Sequence, residues 1–213
     1  MISDGNRFTV TETENKKTML ENLSKYKIIL ASNSPRRHEL LSGLDIDFEV
    51  KIIPGIDESF PETLRKEEIP VYIAKQKASA YQNQLDEKTL LITADTIVWL
   101  EGVVYNKPEN EQEAKEMLRI LSGKTHEVIT GVCLTGLHKQ QAFHVTSQVK
   151  FAELQEDEID YYVKNYKPYD KAGAYGVQDW IGYIGVEKID GSFYNVMGLP
   201  VRVLYTHLKE WDS

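Results

Sequence analysis

The chain has 213 residues, 41% of them hydrophobic and 27% charged, enough apolar material for the core of one ordinary domain. A formal charge of −8 excludes general electrostatic attraction to nucleic acid or to an anionic membrane, so a polyphosphate would need a local cluster of cations, helped by a metal. The single cysteine, Cys133, excludes a disulfide framework and a cysteine–histidine metal site; no apolar run is long enough to span a bilayer and no secretory leader is legible, which points to the cytoplasm.

Residues 1–25 are polar and aperiodic and read as an N-terminal extension, a tail or a frayed lead-in helix, ahead of residues 26–213, a length that holds one ordinary domain or one domain with two lobes. Met19 is a candidate second translation start, which peptide mapping of the native protein would test. The organising stretch follows at Ile28 to Leu41: an apolar strand, the polar turn Ser32-Asn33-Ser34, and a helix opened by Ser34 as N-cap and Pro35 as first helical residue. Gly43 is placed to end that helix. Arg36 and Arg37 fall in its first turn, where the exposed N–H groups and the helix dipole are already positive. Two cations there either pair with surface carboxylates such as Glu39 or await an anion, as a phosphate site would.

Ile46 to Ile52 alternates apolar and polar, a half-buried strand, and runs into the turn Pro54-Gly55 and the adjacent acids Asp57 and Glu58. Those acids are either a solvated turn or handle metal and water. A helix is predicted from Ile69 to Leu85, with Val71, Ala74, Ala78, Tyr81 and Leu85 as its stripe. Lys77 lies at the edge of that face, where it either snorkels or aims at an anion.

Thr89 to Leu100 is almost wholly apolar and β-prone, a central strand covered on both faces, interrupted by Asp95. A carboxylate is costly to bury unless paired or metal-bound, so Asp95 is the leading functional candidate. Glu101-Gly102 turns the chain into the strand Val103–Tyr105, which carries Lys107 back towards the Asp95 end; an exposed strand-end lysine is the alternative. A helix follows over Asn110–Leu121, then two long strands, Thr125–Leu137 and Ala142–Leu154, paired as an antiparallel ribbon, and a helix over Gln155–Lys164. His126, His138 and His144 show no ligand spacing and are given no role. Lys171 to Gln178 is a small-residue loop ending in a side chain that offers both donor and acceptor, as reading a base edge requires. Aromatic strands are expected through Val186, and an amphipathic helix carrying Val201, Leu204 and Leu208 closes the chain.

The motifs Ser32-Asn33-Ser34-Pro35-Arg36-Arg37, Ala94-Asp95-Thr96, Lys107-Pro108, Ser122-Gly123-Lys124-Thr125, Lys171 to Gln178 and Gly198-Leu199-Pro200 share an order and approximate spacing with one family. From about residue 27 to the C-terminus the chain resembles the Maf family, the septum-formation-inhibitor-like nucleoside triphosphate pyrophosphatases. The resemblance implies an α/β fold of Maf/ITPase-like type: a long mixed central sheet flanked by helices, two lobes, and an active-site cleft between them. It implies a cytoplasmic enzyme, commonly a homodimer, that uses a divalent metal, Mg2+ or Mn2+, to cleave a nucleoside triphosphate to monophosphate and pyrophosphate. Asp95 would be the proton acceptor, Arg36, Arg37, Lys77 and Lys107 would hold the triphosphate, and Glu58 would join Asp95 at metal and water. Whether Asp95 is chiefly base or chiefly ligand stays open. Arg36, Thr96 and Gln178 match the subgroup acting on dTTP and UTP rather than the one preferring 7-methyl-GTP; Asn106 departs from the glutamate or glycine often found before the lysine. House-cleaning of modified pyrimidine nucleotides is a broader reading, and a non-catalytic nucleotide-binding regulator of septation is the reading from another class.

Overall fold

A computed structural model describes residues 7–8 and 19–212. Among these residues eight strands form one mixed sheet in the order β1-β3-β2-β4-β6-β7-β8, with β5 paired to β4. The strands are β1 (Arg7–Phe8), β2 (Lys27–Leu30), β3 (Phe48–Val50), β4 (Thr89–Leu100), β5 (Val103–Tyr105), β6 (Thr125–Thr135), β7 (Gln140–Phe151) and β8 (Val186–Asp190). Seven helices flank it: α1 (Pro35–Ser42), α2 (Glu68–Ser79), α3 (Glu111–Leu121), α4 (Glu156–Tyr166), α5 (Trp180–Gly185), α6 (Phe193–Met197) and α7 (Val201–Lys209). The expected α/β class with a mixed central sheet is therefore observed. Helix α2 stops at Ser79, short of the expected Leu85, and Gln82–Gln84 forms a separate 3-10 turn.

The chain divides into two compact units. Of the described residues, the first comprises 7–8, 19–95, 131–144 and 198–212. Here β2 lies parallel to both β3 and β4, each pair aligned through Ile29 and Leu30. Ile29, Ala31 and Leu91 pack with Ala74 and Ala78 of α2, with Tyr81 just beyond it and with Cys133. Gly131 of β6 lets α2 approach: a Cβ at this position would collide with the backbone of Pro70 and Val71. Buried Thr93 donates to the Ala74 carbonyl at 2.7 Å, fixing the height of α2 against β4. Most of the expected N-terminal extension, residues 1–6 and 9–18, lies outside the described residues. Its remainder is folded: β1 pairs antiparallel with β3, and Leu20 and Leu23 are buried around a 3-10 turn. Asn22 donates to Leu208 O at 2.9 Å, so this segment docks on α7, a contact 186 residues distant that local polarity does not announce.

The second unit comprises residues 96–130 and 145–197. Asn110 caps α3, accepting from Glu113 N at 3.0 Å. Ala114, Met117, Leu118 and Leu121 are buried on that helix, at the spacing its sequence predicts. Arg119 of α3 forks onto Glu156 of α4 through Nε and Nη2. The expected aromatic strands before Val186 are a helix instead, α5, with a strand only afterwards. Ile181 and Gly185, four residues apart, face inward, while Trp180 stacks edge-on against Tyr161. Aromatic content suggested β-structure, but the four-residue burial period decided. A second short helix, α6, buries Asn195 and Met197.

Candidate functional site

In the first unit, β2 ends at Leu30 and the chain turns through Ser32 into α1. Ser34 occupies the N-cap position and Pro35 the first turn, as expected, but the Ser34 side chain makes no capping bond. Ser32 organises the turn instead. Its Oγ accepts from Ser34 N at 3.3 Å and from Arg37 Nη1 at 3.4 Å, and its carbonyl accepts from His38 Nε2 at 2.6 Å. Ser32 lay inside a recognised motif, yet its work becomes visible only once the chain turns back on it; His38 carried no signal.

Arg37 reaches across the unit. Its Nε donates to Gly198 O at 2.8 Å and its Nη1 to Ala94 O at 2.9 Å. Gly198 presents that carbonyl from a backbone at φ 112°, a conformation that suits glycine. The guanidinium thereby ties the helix start, the strand residue before Asp95 and the turn before α7 together. Burial lowers the pKa of Arg37; the charge of Asp95 raises it, Arg36 lowers it and Glu58 raises it. Arginine stays charged under such opposing influences, leaving a fixed cation beside Asp95.

Asp95 is 8% exposed, as the apolar strand implied. Lys77 Nζ lies 2.8 Å from its Oδ1 and 3.1 Å from Glu58 Oε1, so one ammonium joins the strand acid to the turn acid. The position of Lys77 follows from its helix. Four residues on, just past the end of α2, Tyr81 is buried, donates to Lys51 O at 2.8 Å and accepts from Ile53 N at 2.9 Å. That anchor holds the segment leading to Glu58. The two turn acids separate: Asp57 accepts from the amide and hydroxyl of Ser59, which lower its pKa, whereas Glu58 faces Lys77. Arg37, Glu58, Lys77 and Asp95 thus come together, with Arg36 near enough to Arg37 to act on its charge.

The other three candidates belong to the second unit. Lys107 is exposed beyond β5, whose register sets Tyr105 beside Val98. Thr96 Oγ1 shares a hydrogen bond of 2.9 Å with Thr130 Oγ1. Gln178 is half-buried and its Oε1 is buried with no hydrogen-bond partner, an acceptor that a ligand donor would satisfy. The glycine-rich loop before it is held from beneath: Tyr162 OH donates to Asp179 Oδ2 at 2.8 Å and accepts from Gly176 N at 3.0 Å. Tyr175 of the same loop shares a 2.7 Å hydrogen bond with buried His126. His126, given no role from its spacing, is therefore a support of this loop.

No group of three or more His, Cys, Asp or Glu side chains suited to a metal occurs among the described residues. A magnesium site bridged to a polyphosphate does not need one, because phosphate oxygens and water complete the shell around one or two carboxylates. Glu58 and Asp95, both oxygen donors directed at one cation, fit that requirement.

A buried acid within a strand, flanked by a lysine and by a fixed guanidinium from a strand-to-helix turn, is equipped to hold and hydrolyse a polyphosphate. The chain belongs to the Maf family: the family model described as "Maf-like protein" matches residues 27–211. It is 65% identical over 192 residues to a protein of Phocaeicola vulgatus named dTTP/UTP pyrophosphatase, covering 90% of this chain and all of that one. It is 61% identical over 193 residues to a Parabacteroides distasonis protein of the same name, covering 91% of this chain and all of that one. Among solved structures, the Ham1 protein of Staphylococcus aureus aligns with a TM-score of 0.40 at 17% identity, over 60% of this chain and 72% of that one. No helix among the described residues is long and apolar enough to cross a membrane.

Proposed function

We propose that this chain hydrolyses dTTP and UTP to the nucleoside monophosphate and pyrophosphate. The names of its relatives at 61% and 65% identity support that substrate pair, as does the set Arg36, Thr96 and Gln178. The observation that carries the reading is Asp95: a strand carboxylate, 8% exposed, held at 2.8 Å by Lys77 and beside Arg37. Asp95 orients and deprotonates the water that attacks the α-phosphorus. Negative charge then grows on the departing pyrophosphate, and Arg36, Lys77 and Lys107 stabilise it where it forms. Arg37 contributes chiefly its charge, since Nε and Nη1 already hold backbone carbonyls. A divalent metal held by Glu58 and Asp95 would neutralise phosphate-oxygen charge.

The test is product identity. Purified protein, given single triphosphates and magnesium, releases monophosphate and pyrophosphate, fastest from dTTP and UTP, with modified pyrimidine triphosphates included in the panel. Diphosphate plus phosphate would overturn the cleavage position, and full activity of Asp95→Asn would overturn the role of that acid.

A further inference from the structure

Glu58 and Asp95 suit a divalent metal, yet the cation they share in the structure belongs to the chain itself. Lys77 Nζ stands 2.8 Å from Asp95 Oδ1 and 3.1 Å from Glu58 Oε1, and all three residues lie in the first unit. Two cations cannot both draw fully on one pair of carboxylates. Each weakens the other's hold, by repulsion and by competition for the same oxygens. The lysine that holds the acids is therefore also placed to keep a metal off them.

The surroundings decide which group can give way. Arg37, whose charge both acids feel, cannot withdraw, because Nε and Nη1 are committed to Gly198 O and Ala94 O. Helix α2 is held as well: Thr93 Oγ1 donates to Ala74 O, and Tyr81 just beyond the helix is bonded to Lys51 O and Ile53 N. What is left to move is the flexible stem of Lys77, whose ion pairs are both made by its terminal ammonium. That side chain keeps only 12% of its exposure, and stripping a buried ammonium of its partners is strongly unfavourable. A metal arriving alone must strand Lys77 in this way. A metal arriving with a triphosphate need not, since phosphate oxygens offer the ammonium a new anion and complete the shell of the metal.

We infer that Lys77 is an internal rival of the divalent metal for Glu58 and Asp95, and that the triphosphate ends the rivalry by taking the ammonium onto its own oxygens. Metal and nucleotide then bind cooperatively, and the metal is held weakly until the nucleotide is there. The inference rests on the proposed dTTP/UTP activity and deepens it, giving Lys77 two successive anions in place of one.

The probe is Mn2+ alone, whose free ion is counted by its paramagnetic resonance signal without any turnover. Lys77→Met removes the charge, and Lys77→Gln removes it while keeping a hydrogen-bond donor for the acids, so that a folding defect in the first leaves the second to decide. Either variant is expected to bind Mn2+ about tenfold or more tightly than wild type, the effect one close charge has on another. Wild type is expected to bind the preformed Mn2+ complex of α,β-imido-UTP, which cannot be cleaved between those phosphorus atoms, about tenfold or more tightly than Mn2+ alone. This advantage should shrink in the neutral variants. Mn2+ affinity in the variants equal to or below that of wild type overturns the inference while the activity stands, and so does a wild-type protein that binds Mn2+ equally well with and without the analogue. Absence of pyrophosphate release from UTP and dTTP by the wild-type protein overturns the activity itself.

Discussion

The pair Lys77–Asp95 offers the most direct test of how the site is held. At 2.8 Å and an effective dielectric constant of 20, the attraction is about 6 kcal/mol before solvation. Both side chains retain only about a tenth of their exposure, 12% and 11%, so desolvation offsets more than half of that. A net coupling of about 2–3 kcal/mol remains. Glu58, 47% exposed, adds under about 1 kcal/mol to the hold on Lys77. Lys77→Met alone leaves a buried carboxylate with Arg37 as its remaining cation, a cost of about 2–4 kcal/mol. Asp95→Asn alone costs about 1–2 kcal/mol, because Lys77 keeps Glu58. The double variant should therefore be more stable than Lys77→Met, although none of the three releases pyrophosphate from dTTP. Urea unfolding of the four proteins, completed as a double-mutant cycle, measures the coupling. A value below about 0.5 kcal/mol would mean that water screens the pair, and the account of a buried acid held by cations would be wrong.

Arg37→Lys loses the fork that joins Gly198 O and Ala94 O, and should lower stability by about 2 kcal/mol as well as activity, read by urea unfolding beside a pyrophosphate assay. Gly131→Ala puts a methyl into the backbone of Pro70 and Val71 and should cost about 3 kcal/mol, displacing α2 and with it Lys77; a melting temperature within a degree of wild type would refute the close approach. His126 is 1% exposed, and burial lowers its pKa from 6.5 to about 4. Between those values the unfolded chain binds the proton and the folded one does not, so stability falls as pH drops from 6.5 to about 4. The expected loss is about 3 kcal/mol. His126→Gln, compared with wild type by urea midpoints at pH 7 and 4.5, should remove most of that slope.

Much of the architecture was readable from local pattern. The boundaries of β4, the Asn110 cap of α3 and the strand–turn–helix at Ser32 to Arg37 rest on periodicity and end chemistry, which neighbouring residues carry among themselves. Asp95 was legible for a related reason: a carboxylate inside an apolar strand is improbable without a partner. The stretch from Trp180 to Gly185 misled because its aromatic content and its helical burial period point in different directions.

From the chain alone came the family, the sheet-and-helix class and the burial of Asp95, since residue type, spacing and hydrophobic period are properties of short segments. Folding alone assigned the partners: Lys77 to Asp95 across 18 residues, Arg37 to Gly198 across 161, and Thr130 to the carbonyl of Asn195 across 65. A hydrogen bond depends on the direction and distance of two groups, and between segments far apart in the chain only the packed structure sets either one.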